Sequence, residues 1–395
     1  MGPLRVLIAG AGIGGLAAAL GLLRAGHRVR VFERARQLGE VGAGLTITPN
    51  GAHVLHALGV WPAVARLAVL PATGAVRNGV TGETLAVREL GETLRGRFGA
   101  EYCQVHRADL HDALAAAIQS LDPGAISVND GFTGLLENHA QGVRARFASS
   151  GEVEGDLLLG ADGLRSALRV ALFGAETPAF AGYVAYRGLA PAAALTPRLL
   201  EHASCMYAGP SNLFLRYLVR RGELVNVACL GRTDRWAAEG WSVPAEREEF
   251  LGMLEGWHED VLTLVRAIPE ASLFKWGLFQ RSALERWSVG RASLLGDAAH
   301  PMLPFLGQGA VMALEDAWLL VRAVAAATSV EPALALYERA RIGRANQVMA
   351  LSADNGLKLV PRSAAEYRPG SHSSAASLGL MEYNPLTVDL PADCG

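Results

Sequence analysis

The residues best suited to chemistry fall in three loops, each joining glycine to an acidic side chain. GAGIGG runs from Gly10 to Gly15, with Glu33 following one helix and one strand later. GADGLRSALR runs from Gly160 to Arg169 and carries Asp162. GDAAHPMLPFLGQGA runs from Gly296 to Ala310 and carries Asp297. Glycine lets backbone N–H groups approach a pyrophosphate, and a carboxylate accepts from sugar hydroxyls. One such loop is a weak signal. Three in this order, each between an apolar run and a helix-like run, describe a site for one dinucleotide assembled from distant parts of the chain.

The elements that must hold the first loop are legible. Leu4–Ala9 reads as a strand buried on both faces. Gly10, Gly12 and Gly15 then serve the tight turn, the approach of phosphate and the packing of helix on sheet. A helix is expected over Ile13–Ala25, stopped by Gly26. The strand Arg28–Phe32 delivers Glu33, at the distance that suits a ribose hydroxyl, with Arg34 next to it. Gly14 and Arg34 join the expected cofactor-binding set. No second GxGxxG occurs, so a single dinucleotide has a dedicated site.

A chain of 395 residues should hold two or three structural units. With 51% apolar and 19% charged residues, disorder is not the default. The net charge of −2 supplies no field for nucleic acid. Cys103, Cys205, Cys229 and Cys394 form no CxxC pair, which argues against a zinc site or a redox disulfide. Cys205 and Cys229 read as buried strand residues. Neither a signal peptide nor a spanning segment is evident, which points to the cytoplasm and away from membranes. The Ala-rich stretch Leu319–Ala327 reads as a core-facing helix.

The second and third loops resemble the DG and GD motifs of the single-component flavin monooxygenases, the aromatic-ring hydroxylase family with the para-hydroxybenzoate-hydroxylase fold. VHRADLHDAL (Val105–Leu114) is similar to that family's arginine-bearing helix start. The pattern GPxxxxxxYxxxxGEL at Gly209–Leu224 and the run RWSVGRASLLGDAAHPM look like the salicylate-hydroxylase-like branch. The resemblance spans Leu4 to about Ala345. It implies an α/β fold: a doubly wound, Rossmann-like FAD-binding domain from 1–75, 98–173 and 282–350. A mixed β-sheet substrate domain is inserted from 76–97 and 174–281, and 351–395 forms a C-terminal helical tail.

It also implies roles. Arg107 would pair with the FAD pyrophosphate, and Asp297, expected as a buried carboxylate, would accept from the ribityl chain. Pro304, Gly307, Gln308, Gly309 and Ala310 would bring the N-terminus of a helix to the flavin edge, where reduced flavin is anionic. Asp162 and Gly163 would touch the pyrophosphate or the nicotinamide donor, or form only a strand-to-helix turn capped by Ser166. NADH or NADPH would reduce the FAD, and molecular oxygen would react through a flavin C4a-hydroperoxide. The substrate would be a small aromatic of phenolic or hydroxypyridine carboxylate type, hydroxylated with or without loss of its carboxylate, by a monomer or homodimer.

The inserted region carries β-rich stretches at Tyr183–Leu189, Leu213–Val219 and Leu224–Leu230, and Pro244–Ile268 looks helical. Tyr217 is the best catalytic candidate, as a phenol that holds or helps deprotonate a substrate hydroxyl. Arg216 and Tyr217 must face opposite sides of a strand, as must Tyr186 and Arg187. Thr46, Arg187, Leu213, Arg216, Tyr217 and Pro304 form the expected substrate set. Relatives acting on hydroxybenzoates often carry histidine at the Leu213 position, proline at Leu218, and a polar or histidine side chain at Thr46, after Gly42-Ala43-Gly44. The missing histidine leaves the general base open, because His300 reads as a structural or flavin-shell residue. It also leaves room for epoxidation or hydroxylation of a larger polycyclic phenol. A non-catalytic FAD-binding protein is the alternative of another class. The absent WxWxIP signature disfavours a halogenase, and the lack of CxxC excludes a disulfide reductase.

Overall fold

The computed structural model describes residues 1–39, 44–209, 211–234, 236, 243–361, 370 and 373–391. Arg5–Ala9 lies in the middle of a six-stranded sheet, paired in parallel with Leu157–Gly160 on one side and Arg28–Phe32 on the other. Ala292–Leu294 adds in parallel beyond Leu157–Gly160. Neighbouring parallel strands therefore release Gly10, Glu33, Asp162 and Asp297 at one edge of one sheet. This is where ligands bind in open α/β sheets.

The helix Ile13–Arg24 packs on the helix Gly309–Ala326. A Cβ at Gly14 would lie 2.8 Å from Leu295 Cδ1 and 3.0 Å from Ala313 Cβ, and one at Gly21 would lie 2.7 Å from Val321 Cγ2. Gly14, expected to bind cofactor, must also be glycine for this packing. It holds the first loop against the third.

A second, eight-stranded sheet is mixed. Its order runs Val243–Pro244, Phe274–Gln280, Ala179–Pro191, Leu224–Arg232, Asn212–Val219, Ser204–Ala208, Thr73–Asn78 and Thr84–Glu89, with one parallel pair between Ser204–Ala208 and Thr73–Asn78. The expected boundary at 75/76 falls inside the strand Thr73–Asn78, all of which belongs to this sheet. One face is sealed by the helices Arg247–Met253 and Glu259–Arg266, over a core that includes Val225, Phe250 and Leu264. The expected helical stretch is two helices because Gly256 takes φ +78°, a left-handed turn that suits glycine. The other face carries Ala185, Leu213 and Leu230 in a cluster with Leu303 and Phe305 of the third loop.

Two smaller sheets complete the β structure. Phe132–His139, Gly142–Phe147 and Gly151–Gly155 form an antiparallel meander. Gly44–Ile47 pairs with Cys103–His106 and packs its Thr46 side towards the large sheet. The helix Val330–Leu359 runs unbroken through the expected boundary at 350/351. Cys103, Cys205 and Cys229 are buried and free, and Cys394 lies outside the described residues.

Candidate active site

The first loop is held by contacts that only glycine permits. Gly10 takes φ +104°, and a Cβ there would sit 2.4 Å from the Ala161 carbonyl oxygen. A Cβ at Gly15 would sit 2.2 Å from the Gly10 carbonyl oxygen. A Cβ at Gly12, by contrast, meets nothing, so its backbone faces open space. Glu33 braces the loop: Oε2 accepts from the Ala11 N–H and Oε1 from the Ala35 N–H, each at 2.8 Å. Arg34 is exposed next to this turn.

In the second loop Asp162 Oδ2 accepts from Ala167 N–H at 2.7 Å and Leu168 N–H at 3.2 Å. Ser166 caps the same helix by accepting from Arg169 N–H at 2.9 Å. The turn role is therefore present. Asp162 Oδ1 is buried without a partner, and burial pushes its carboxyl pKa up. Arg169, fully buried, reaches across to the third loop and donates to the carbonyls of Ala298 at 3.4 Å and Ala299 at 3.1 Å.

Asp297 does not sit in the protein interior as expected. It is exposed, because the single turn Gly296–Ala298 buries its neighbour Ala298 and turns the carboxylate outward. Pro304 opens the turn Pro304–Leu306, and Gly307 follows with φ +64°. Gln308 then caps the helix Gly309–Ala326, and Ala310 is partly exposed. The nearest atom to a Cβ on Gly309 is Met302 Cγ at 4.0 Å, and a Cβ on Gly307 meets nothing. The helix start is open, with its unsatisfied N–H groups available.

The Gln308 side chain turns away from that opening. Its Nε2 donates to Thr48 Oγ1 at 3.2 Å, and its Oε1 accepts from Asn50 Nδ2 at 3.3 Å. Asn50 also donates to Glu315 Oε1 at 2.7 Å. Glu315 and Asp316 are fully buried and held by Arg341 and Arg344. His300 Nε2 pairs with Asp316 Oδ2 behind the loop. Burial alone would raise the Asp316 carboxyl, but His300 and Arg341 outweigh it and bring the pKa down to about 2.

On the large sheet, strand register sorts the substrate candidates. Arg187 is flanked by Ala228 and Phe274, and Tyr217 by Asn226 and Ser204. The Arg187 guanidinium lies beside the Tyr217 phenol and 5.1 Å over the Trp276 ring. A Cβ at Gly44 would sit 2.4 Å from the Tyr217 ring, and Gly44 N–H donates to Asn226 Oδ1 at 2.7 Å. Tyr102 is within hydrogen-bonding reach of Thr46 and close to Tyr217. Arg187, Tyr217, Asn226, Tyr102 and Thr46 thus gather where the small sheet meets the large one. Leu213 lies further along the same face, in the apolar cluster with Leu303.

Burial pushes the Tyr217 phenol up to about 12, even with Arg187 beside it. At neutral pH it is a neutral donor, ill suited to take a proton. Arg216, expected among the substrate contacts, is on the opposite face, fully buried and donating to the His202 carbonyl. Tyr186 shares that face and donates to Glu249 at 2.6 Å. Arg107 opens the helix Arg107–Leu121 near Arg187. The carboxylate of Asp109 is taken by Arg220, which donates at 2.9 Å from the hairpin end of the large sheet. Gly42 and Ala43 lie outside the described residues.

Asn226, Tyr102 and Asn50 were missed from sequence. Asn226 could have been found by aligning the alternation of Leu224–Leu230 with that of Leu213–Val219, since Tyr217 pairs with it.

Open backbone at Gly12, Gly307 and Gly309, with acids at the ends of adjacent strands, fits FAD. A family profile described as an FAD binding domain matches residues 3–352. The chain is 38% identical over 354 residues to a 3-amino-4-hydroxybenzoate 2-monooxygenase from Streptomyces platensis, covering 89% of this chain and 87% of the relative. It is 34% identical over 355 residues to a 6-hydroxynicotinate 3-monooxygenase from Pseudomonas fluorescens, covering 89% and 91%. A salicylate hydroxylase substrate complex superposes with TM-score 0.79 at 26% identity, covering 99% of each chain. Klebsiella pneumoniae HpxO complexed with FAD and uric acid gives TM-score 0.83 at 25% identity, covering 96% and 93%. The chain belongs to the FAD-binding-domain family and, within it, to the FAD-dependent aromatic monooxygenases of the salicylate hydroxylase type.

Proposed function

We propose that this enzyme hydroxylates a small aromatic carboxylate bearing a ring hydroxyl, using NADH or NADPH and molecular oxygen. The observation that carries the reading is that strand alternation puts Arg187 and Tyr217, which interact electrostatically, on the face where Ala185 and Leu213 pack against Leu303 and Phe305 of the third loop. Bound FAD supplies the oxygen-transfer chemistry. Gly12 and the Gly307–Gly309 turn would receive its pyrophosphate and ring edge, and Glu33, Arg107 and Asp297 would hold its ribose, phosphates and ribityl chain.

Arg187 would take the substrate carboxylate, where a guanidinium fork matches two oxygens. Tyr217 would donate to the ring hydroxyl oxygen and stabilise it as it becomes anionic. Thr46, Asn226 and Tyr102 complete the polar end, while Leu213, Leu215 and Met206 hold the ring. That apolar strip is also the observation favouring a second reading, a larger polycyclic phenolic substrate. The named activities of the relatives, on aminohydroxybenzoate and hydroxynicotinate, support the first. A cytoplasmic setting fits the need for reduced nicotinamide nucleotide.

The test is NADH and NADPH oxidation by the purified flavoprotein with hydroxybenzoates, hydroxypyridine carboxylates and larger phenols, following product mass. The expected result is strong stimulation by a carboxylated substrate, with one oxygen gained or a carboxyl exchanged for hydroxyl. Arg187→Met should raise its KM by about 30-fold, the equivalent of about 2 kcal/mol. Equal turnover of the decarboxylated phenol would overturn the carboxylate reading. Turnover of none of the panel would overturn the small-aromatic reading.

A further inference from the structure

The hairpin that closes the two central substrate strands has a backbone its residues do not favour. It joins Asn212–Val219 to Leu224–Arg232. Arg220 takes φ +50°, Arg221 φ +55° and Gly222 φ +90°. Only glycine enters that left-handed region without steric cost. Among the described residues one other non-glycine, Asn129, has positive φ, and asparagine tolerates it. Two adjacent arginines do not, so contacts outside the hairpin must hold them there.

Two such contacts reach the cofactor side. Arg220 Nη2 donates to Asp109 Oδ1 at 2.9 Å, and its Nε donates to both carboxylate oxygens at 3.2 Å. Asp109 is buried in the first turn of the helix that Arg107 opens. Arg221 N–H donates to the Leu67 carbonyl at 2.9 Å. Just beyond Leu67, Val69 bridges to Gln104 in the strand Cys103–His106. The hairpin is thus docked on the segments around Arg107 and the small sheet.

The strands behind the hairpin carry the substrate candidates. Val219 pairs with Leu224 at the hairpin, and further in Tyr217 pairs with Asn226. A displaced hairpin therefore displaces Tyr217. Asp109 follows closely on Arg107, expected at the FAD pyrophosphate, and Arg220 follows closely on Tyr217. One ion pair spans the cofactor anchor and the substrate strand. The simpler role for Asp109, an acid favouring a helix N-terminus, explains neither the forked contact nor an arginine in left-handed backbone. Oxygen transfer needs reacting atoms aligned and in contact, and a displacement of about 1 Å is costly. We propose that Asp109 and Arg220 are positioning residues, whose ion pair sets where Tyr217 and the bound aromatic stand relative to the flavin. This rests on the hydroxylase reading above. When the pair is lost, the two electrons of NAD(P)H pass with two protons to molecular oxygen and leave as hydrogen peroxide. In the coupled reaction one oxygen atom enters the ring and the other leaves as water.

The test compares wild type, Arg220→Gly, Arg220→Lys and Asp109→Asn holoenzymes on the aromatic that best stimulates the wild type. Glycine suits the left-handed backbone, so Arg220→Gly removes the side chain and leaves the turn and Asp109 in place. Hydroxylated product per nucleotide oxidised should fall about threefold in Arg220→Gly and in Asp109→Asn. Peroxide should make up the difference, and the double variant should fall no further. Arg220→Lys keeps the charge without the fork and should lie between. Hydrogen exchange at the Arg221 amide, read on the FAD-free protein as well, should quicken about tenfold in Arg220→Gly. An unchanged product yield in Arg220→Gly, whatever its melting temperature, would reduce the pair to a structural contact and overturn the proposal alone. Unchanged exchange at Arg221 would also overturn it. A wild type that hydroxylates no aromatic would overturn the hydroxylase reading and the proposal together.

Discussion

Two buried charge clusters flank the site, and they are built on opposite plans. Within the helix Gly309–Ala326, Glu315 and Asp316 face Arg341 and Arg344 with no exposed side-chain surface on the carboxylates. Every carboxylate oxygen there has a donor: Asn50, Arg341 or Arg344 on Glu315, and Arg341, His300 or the Gly296 N–H on Asp316. Beneath the substrate sheet, Arg216 is fully buried and, among the described residues, has no carboxylate partner. The first cluster closes within the chain and ties the starts of two helices together through Thr48, Asn50 and Gln308. The second holds its guanidinium with neutral partners alone, the His202 carbonyl and the Tyr207 hydroxyl. An ion-paired network fixes geometry, while a buried charge held only by neutral groups is paid for in stability.

The contrast can be broken most forcefully at Glu315. Replacement by alanine would take from Arg344 its carboxylate and leave Arg341 to Asp316 alone, and folding stability should fall by about 3–5 kcal/mol. A loss below about 1 kcal/mol, read from denaturant unfolding, would mean that water compensates there as easily as a carboxylate does.

At the surface of the same region, Gly309→Leu should leave the apoprotein fold intact, since a Cβ there has no close neighbour. FAD affinity should nonetheless drop on the order of 100-fold, about 2.7 kcal/mol, because the added side chain projects from the open helix start. Flavin content equal to wild type would show that the helix start does not approach the cofactor.

Asp316 sets an acid limit on the paired cluster. Its folded-state carboxyl titrates near 2, below the usual 3.8. Its contribution is therefore complete above about pH 4 and lost as pH falls through 2, on the order of 2 kcal/mol. Asp316→Asn should be less stable than wild type at pH 7, and the gap should narrow as the pH approaches 2. A constant gap would assign the effect to packing.

Arg216→Met sharpens the comparison from the other side. It should change stability by less than about 1 kcal/mol or raise it, because a buried guanidinium with no carboxylate partner is exchanged for an apolar side chain. A loss as large as that of Glu315→Ala would erase the distinction between the clusters.

Much of the nucleotide end was readable because its constraints are local. Gly10, Gly12 and Gly15 follow from the turn they must make, and Glu33 from the end of a short strand. The packing role of Gly14 was not readable because it depends on Ala313, about three hundred residues away. The alternation of Arg216 and Tyr217 was equally visible, but which face meets the flavin side depends on the covering helices Arg247–Met253 and Glu259–Arg266. Asp297 was expected inside and lies outside, since a single turn of 3₁₀ backbone decides its direction. The long reach of Arg169 to the Ala298 and Ala299 carbonyls left no local signature at all.

The same long-range glycine contacts govern how the protein comes into being. Gly10 touches the segment at Ala161, and Gly14 touches Leu295 and Ala313. During synthesis the fingerprint emerges first and Ala161 next, yet Leu295 and Ala313 leave the ribosome only after the whole substrate sheet has been made. Such non-local pairing is slow and leaves apolar faces uncovered meanwhile. Cofactor capture is accordingly a closing event of biogenesis. A nascent chain arrested before Ala313 would carry the intact GAGIGG motif and still lack the surroundings needed to retain the flavin.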